Sequence, residues 1–307
     1  MSTMPVHVSI CISTYKRPEG LAKLLDGIHN LEFHQVEPPV LEVLVADNDA
    51  AGSAREICDH ARTSFPGSLI YAIEPQQGVS YARNRTVVMA SKSADFIAFI
   101  DDDEVPEPLW LDGLLAAQQQ YAADIVAGPV YPQFQDDTIP KWVERGEFFA
   151  PPSHQTGAVL NAAFTNNVLV KAVLVRQLDV VFDPRFAIKG AEDTYFFMRL
   201  RKMGATIVWT NEAIVHEAIP SSRTTLGWLL ERGFWGWSSY SLFEKELFPS
   251  FKGQVTRFLK GIVLIFAGML ASLPSLFLGR HRLYKAVLNI YRGVGTISGL
   301  AGIQGDW

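Results

Sequence analysis

Asp101, Asp102, Asp103 and Glu104 follow the apolar run 96–100 (FIAFI) without a gap. Four adjacent carboxylates repel one another unless solvent or a cation lies between them. A solvated turn is one solution. The other is a hard divalent cation, which takes oxygen ligands and bridges protein carboxylates to phosphate. Arg17, in the segment TYKRPEG, carries a planar fork of donors suited to a diphosphate. Gly78 opens GVSYARN, where a residue without Cβ lets the chain turn tightly and approach a ligand.

These residues need elements to carry them. Apolar runs at 6–13, 41–46, 69–73 and 96–100 read as strands. Helical patterns lie between them at 20–31 and 53–64, and after Gly78. Unbroken β-branched and aromatic runs suit strands covered on both faces, and β-α alternation argues for a mostly parallel α/β sheet with helices on both sides. In such sheets ligands bind at the carboxyl ends of the strands, where Thr14, Asp47 and the acid run fall. Further on, a helix is expected at 109–121 and a strand at 125–131. A long loop follows at 132–157, a strand at 163–170, a helix at 192–203, and short strands at 206–209 and 213–215.

The composition bounds the function. The chain has 307 residues, 48% of them hydrophobic, and a formal net charge of -5, which suits a packed enzyme-sized core and argues against a nucleic-acid partner. Cys11 and Cys58 make no disulfide framework and read as buried thiols of a reducing compartment. The opening MSTMPVHVSICIS shows no basic stretch followed by a long apolar one, so no signal peptide is expected. Beyond residue 220 the character changes. Residues 261–279 carry no charge and contain Pro274. Lys252, Arg257 and Lys260 precede them, and Arg280, His281, Arg282 and Lys285 follow. The apolar stretch 286–302 is interrupted by Arg292. The expected division is a catalytic domain at 1–220 and a helical region at 221–307. That region would lie in, or dip into, an anionic membrane face; a helix pair packed on the main domain is the alternative.

Seven segments then occur in an order that resembles the inverting family 2 glycosyltransferases of GT-A fold. They are VSICISTYKRP, VLVADND, GVSYARN, FIDDDEVP, FTNNVLV, GAEDTYFFMRL and AIVHE, spread over roughly residues 6–237. The resemblance implies a nucleotide base and ribose near Thr14 and Tyr15, and a uracil-type imino group on Asp47. It places Arg83 and Asn84 near the nucleotide and phosphates. It implies Mn²⁺ or Mg²⁺ on Asp103, with Asp101 on ribose or a metal-bound water and Asp102 beside them. Asp193 would be the general base and Glu192 would orient the acceptor; both also suit the first turn of a helix. His216 would ligate the metal or touch the diphosphate. Asn167 would lie near donor sugar and acceptor, and Arg223 and Arg232 would contact phosphate or acceptor. Ala191 stands where many relatives have glycine, and Trp235 and Trp237 replace the more usual arrangement.

The expectation is a metal-dependent, inverting transfer from a nucleotide diphosphate sugar, UDP type favoured, to a hydroxyl of a lipid-linked or saccharide acceptor. The expected place is the cytoplasmic face of a membrane. A nucleotidyltransferase would need a Gly-rich basic loop that YKRPEG does not supply. A non-catalytic nucleotide-sugar-binding protein would not need the acid pair at 192–193. A dinucleotide oxidoreductase would need a GxGxxG after the first strand.

Overall fold

The computed structural model describes residues 5–136 and 139–303. Its strands are β1 (His7–Thr14), β2 (Val40–Asp47), β3 (Ser68–Ile73), β4 (Phe96–Phe99), β5 (Glu104–Pro106), β6 (Ile125–Ala127), β7 (Val130–Phe134), β8 (Val159–Leu160), β9 (Val168–Lys171), β10 (Ile207–Trp209) and β11 (Val215–Ile219). Its α-helices are α1 (Pro18–His29), α2 (Arg55–Arg62), α3 (Val79–Met89), α4 (Trp110–Tyr121), α5 (Lys141–Gly146), α6 (Ala172–Arg176), α7 (Glu192–Lys202), α8 (Leu226–Leu247), α9 (Phe251–Leu278) and α10 (Arg280–Leu300). The chain divides into two compact units. One comprises residues 1–131, 151–188 and 192–217; the other comprises 132–150, 189–191 and 218–307.

The first unit is built on an eight-stranded sheet of order β3-β2-β1-β4-β9-β6-β10-β8. β1 runs parallel to β2 and β4, and β2 to β3. β9 is antiparallel to both β4 and β6, and β8 to β10. Side-chain alternation sends successive residues to opposite faces. Ile10, Val43, Val45 and Ala98 therefore meet Leu21, Leu24, Ile28, Trp110 and Leu114 on one side. Cys11, Leu44, Ile97 and Phe99 meet Phe182, Phe196 and Phe197 on the other. The Phe99 ring meets Phe182 edge-on at 5.5 Å. Both cysteines are buried, which pushes each thiol up to about 12. α1 buries Leu21, Leu24, Leu25 and Ile28, one apolar stripe at helical spacing.

Several elements differ from the sequence expectation. α1 starts at Pro18 rather than at residue 20, because the fixed φ and missing N–H of proline suit a helix's first position. The single strand expected at 125–131 is two, β6 and β7, parted at Gly128 and Pro129. The expected loop at 132–157 holds the end of β7 and all of α5. The strand expected at 163–170 is ordered as β9 only from Val168, and the one expected at 213–215 is β11, running to Ile219.

In the second unit α10 packs against both α8 and α9. α9 buries Gly261, Gly268 and Ser275, a seam one residue wide at seven-residue spacing. Small residues let the two backbones touch. A Cβ on Gly268 would come within 2.6 Å of the Ala286 carbonyl oxygen, and one on Gly293 within 2.6 Å of that of Gly261. Away from this seam α9 is exposed, including Val263, Phe266, Leu270, Leu273 and Phe277. By length and composition it could cross a membrane.

Candidate active site

The parallel register brings Thr14 opposite Asp47. It pairs Cys11 of β1 with Phe99 of β4, two residues before the acid run. Three strand ends thus reach one edge of the sheet. Within the acid run burial alternates: Asp102 and Glu104 are buried, while Asp101 and Asp103 are partly exposed. Residues 102–103 form a tight turn closed by the Glu104 amide on the Asp101 carbonyl at 3.2 Å, and this turn buries one pair while the other faces outward.

The inward pair is held by the fold. Asp102 accepts from the Thr14 hydroxyl at 2.8 Å and from Arg17 at 2.9 Å. Its burial raises its carboxyl to about 6, against the opposing pull of Arg17 and Thr14. Glu104 accepts from the Asp101 amide at 2.8 Å, and burial holds it well above the carboxylate range. Its neutral form costs less inside a protein than an unpaired charge.

The outward pair meets two arginines. Arg17 donates to Asp103 at 3.0 Å as well as to Asp102, while half its side chain remains exposed. Arg83 is buried and donates to Asp101 at 2.7 Å through one guanidinium nitrogen and to Glu192 through another. Burial alone would lower the Arg83 pKa; Asp101, Glu192 and Asp193 raise it, so it stays charged. Arg83 therefore joins the acid turn after β4 to the acid pair opening α7. It lies in the second turn of α3 rather than at the helix start that the sequence suggested.

Glu192 and Asp193 occupy the first turn of α7, where the helix dipole favours negative charge. Burial raises Glu192 to about 7 against the pull of Arg83, and it also raises Asp193. Asp193 accepts from the Thr194 amide at 2.5 Å. Ala191, just before the pair, has φ +65°. A side chain in that left-handed conformation costs roughly 1 kcal/mol, which a glycine would avoid.

The loop at 74–78 is anchored by Asn48, which sequence reasoning passed over. Its side chain donates to the Glu74 and Gln76 carbonyls at 2.9 and 2.8 Å and accepts from the Gly78 amide at 2.7 Å. Gly78 has φ +136°, and a Cβ there would lie 2.7 Å from that of Ala187. The available signal was an amide residue at a strand end, a common turn former. Glu104, counted in the acid run by the sequence, had no separate role there; the structure buries it beneath the turn.

The remaining expected residues are placed as follows. Tyr15 is exposed beside Asp102 and accepts a hydrogen bond from Gln77 at 3.3 Å. Asp47 is fully buried and accepts from Asp49 N, Ala54 N and Tyr71 Oη at 2.8–2.9 Å, so its carboxylate is engaged by its own loop. Asn84 pairs with both backbone groups of Phe182. Asn167 is 2% exposed and its side chain meets Trp110 Nε1 and the carbonyls of Pro129 and Ala213, which engages both of its N–H donors internally. His216 lies opposite Val105 in the β5–β11 pair, and its Nε2 is 2.8 Å from Glu107. Arg223 and Arg232 belong to the second unit, each over the Trp228 ring at 6.0 and 5.1 Å. Among the described residues no three His, Cys, Asp or Glu side chains gather into a metal cage.

A mostly parallel sheet with an acid turn at its strand ends and a second acid pair opening a helix defines a GT-A-type transferase fold. The chain belongs to glycosyl transferase family 2, whose model matches residues 9–179, and it is a glycosyltransferase. It is 31% identical to the succinoglycan biosynthesis protein ExoM of Rhizobium meliloti, over 99% of this chain and 96% of ExoM. The fold is similar to that of the mannosyltransferase PcManGT from Pyrobaculum calidifontis, solved with GDP-Man and Mn²⁺ (TM-score 0.64, 14% identity, 99% of this chain and 89% of that one). It is also similar to S. aureus TarS 1-349 in complex with UDP-GlcNAc (TM-score 0.55, 13% identity, 94% and 90% covered).

Proposed function

We propose that this glycosyltransferase moves a sugar from a nucleotide diphosphate donor, UDP type favoured, to a hydroxyl of a lipid-linked or saccharide acceptor, with inversion. The observation that carries this reading is Arg83, which ties Asp101 of the acid turn to Glu192 beside Asp193. Donor-side and acceptor-side acids are thereby held in one charge network. Asp193 is the base that takes the acceptor hydroxyl proton as the oxygen attacks the anomeric carbon. Glu192 orients that hydroxyl. Thr14, Tyr15 and the Asp47 loop line the place for base and ribose. The similarity to proteins solved with GDP-Man or UDP-GlcNAc, and to a polysaccharide biosynthesis protein, supports the donor class and the kind of product.

Asp101 and Asp103 suit a divalent cation by chemistry: they are hard oxygen donors and the partly exposed pair of the run. Mn²⁺ or Mg²⁺ commonly binds one or two carboxylates and takes its remaining ligands from water and substrate phosphate, so a complete protein cage is not required. When bound, the ion offsets charge on the departing nucleoside diphosphate. His216 of β11, opposite Val105 of β5, is the further candidate ligand. The deciding experiment follows nucleoside diphosphate release from a panel of nucleotide sugars with Mn²⁺ and a membrane lipid extract. Asp103→Ala is expected to lower metal-stimulated turnover by about 10²-fold, the scale of losing one charge-stabilising contact. Undiminished, EDTA-sensitive turnover in that variant would remove Asp103 from the metal site.

The pH dependence follows from the acid pair. Burial, with Arg83 opposing it, raises the Asp193 pKa, and a base works only when deprotonated. The kcat/KM profile should therefore climb with pH through an apparent pKa above the ordinary aspartate value, a property of the Glu192–Asp193 pair together. Removing the negative charge of Asp101, which adds to this rise, with Asp101→Asn should shift the limb to lower pH. A limb that does not move would separate Asp101 from the base.

The proposed location is the cytoplasmic face of a membrane, and the apolar helix of the second unit supports membrane association. A helix whose first turns carry Lys252, Arg257 and Lys260, whose stretch 261–278 is uncharged, and which is followed by Arg280, His281 and Arg282 suits insertion among anionic lipids. Aspartate at Leu270, on the exposed side of α9, is expected to release the protein from phosphatidylglycerol vesicles while leaving its melting temperature unchanged.

A further inference from the structure

The turn between α9 and α10 borders a cleft of about 440 Å³, formed with α5 and its preceding residue. Lys141, Arg145, Arg280 and His281 line it together with Trp142 and Gly279. No carboxylate among the described residues lines it; Glu144 of α5 is exposed and lies outside the lining. α5 and the residues just after it meet α10: the Trp142 ring contacts Tyr284 edge-on at 4.9 Å, and the Lys285 ammonium lies 5.9 Å from the centre of the Phe148 ring. Basic side chains from two elements distant in sequence therefore converge on one concavity whose lining, among the described residues, holds no acid.

The cleft opens at the end of the apolar helix. Gly279, in its wall, directly follows Leu276, Phe277 and Leu278, and Phe277 is 91% exposed. A tryptophan beside cations at the end of an apolar helix is the arrangement that settles at a lipid headgroup boundary. The volume falls within the range of small-molecule sites and exceeds what a bare phosphate ion would fill.

We propose that this cleft binds the phosphate-bearing headgroup of an anionic membrane lipid, with its acyl chains along the exposed apolar end of α9. The proposal rests on the membrane reading above and adds to it a defined, saturable site. It gives the Lys141/Arg145 and Arg280/His281 groups a function that diffuse surface attraction would not require of a concave site. The donor and base residues do not enter it.

The test uses the full chain and phosphatidylcholine vesicles with or without phosphatidylglycerol. Two double variants remove equal charge: Lys141→Ala/Arg145→Ala in the cleft, and Lys252→Ala/Lys260→Ala near the other end of α9. Each exposed charge contributes roughly fivefold to anionic vesicle affinity, so diffuse attraction alone predicts equal losses of about 25-fold. The cleft reading predicts a clearly larger loss for the cleft variant. It also predicts calorimetric binding of dihexanoyl phosphatidylglycerol below its micelle concentration, lost in the cleft variant and kept in the remote one. Equal losses in the two variants, without binding of the short-chain lipid, would overturn the site and leave the membrane reading standing. Equal affinity for inorganic phosphate and the short-chain lipid would overturn the lipid assignment. Failure of the unaltered protein to bind any vesicle would overturn both. Unchanged donor hydrolysis and melting temperature in the two variants confirm that each is folded.

Discussion

Asp193→Asn is expected to lower sugar transfer by about 10³-fold, within the range that a positioned general base contributes. The substitution keeps the size of the side chain and an oxygen able to accept from the Thr194 amide, as Asp193 does at 2.5 Å. It therefore leaves the first turn of α7 in place and removes proton-accepting ability alone. Donor affinity, read from nucleotide-sugar titration, should change little, because no donor-side contact is lost. The effect belongs in kcat, with the acidic limb of the pH profile abolished. A variant that retains a tenth or more of the transfer rate would place the base elsewhere. Loss of donor affinity and transfer together would instead recast Asp193 as a positioning residue.

The second large effect is on stability. At pH above about 7, where buried Glu192 becomes ionised, Arg83 is the cation that balances it. Arg83→Met leaves that carboxylate and Asp101 without their guanidinium partner. Removing one member of a buried pair costs about 3–5 kcal/mol. Below the Glu192 pKa the cost should shrink, because the carboxyl takes a proton instead of standing charged. Denaturant unfolding at pH 5 and pH 8 checks the sign. The double variant Arg83→Met/Glu192→Gln should recover part of the stability at pH 8, since it removes the unpaired charge. It should not recover transfer, because the tie between the acid turn and α7 remains broken. Equal destabilisation at the two pH values would mean that packing, not charge, is what Arg83 supplies.

Arg83 also shows how the comparison of sequence and structure divides. Its residue type and its place in GVSYARN marked it as a phosphate-facing cation, but its observed partners are two carboxylates, 18 and 109 positions away. Asn84 and Asn167 were read as substrate contacts, yet their amides are engaged by Phe182 and by Trp110, Pro129 and Ala213. A polar side chain reads the same in sequence whether its partner is a ligand or a buried backbone group. Only the distances between strand ends decide which.

The sequence by itself determined the parallel part of the sheet. The apolar run of β4, and those of β1 and β2 interrupted within only by Ser9 and Glu42, are stable when covered on both faces, and local hydrophobicity records that requirement. It also determined that carboxylates crowd the end of one such strand, because they are neighbours in the chain. It marked the apolar helix of the tail, whose exposed residues bear no charge from 261 to 279. The tertiary structure alone decided which acids face inward and which outward, and that Asp47 is spent on its own loop. It alone brought Lys141 and Arg145 to Arg280 and His281. Electrostatic partnership falls off with distance in space, whereas the chain records only separation in sequence.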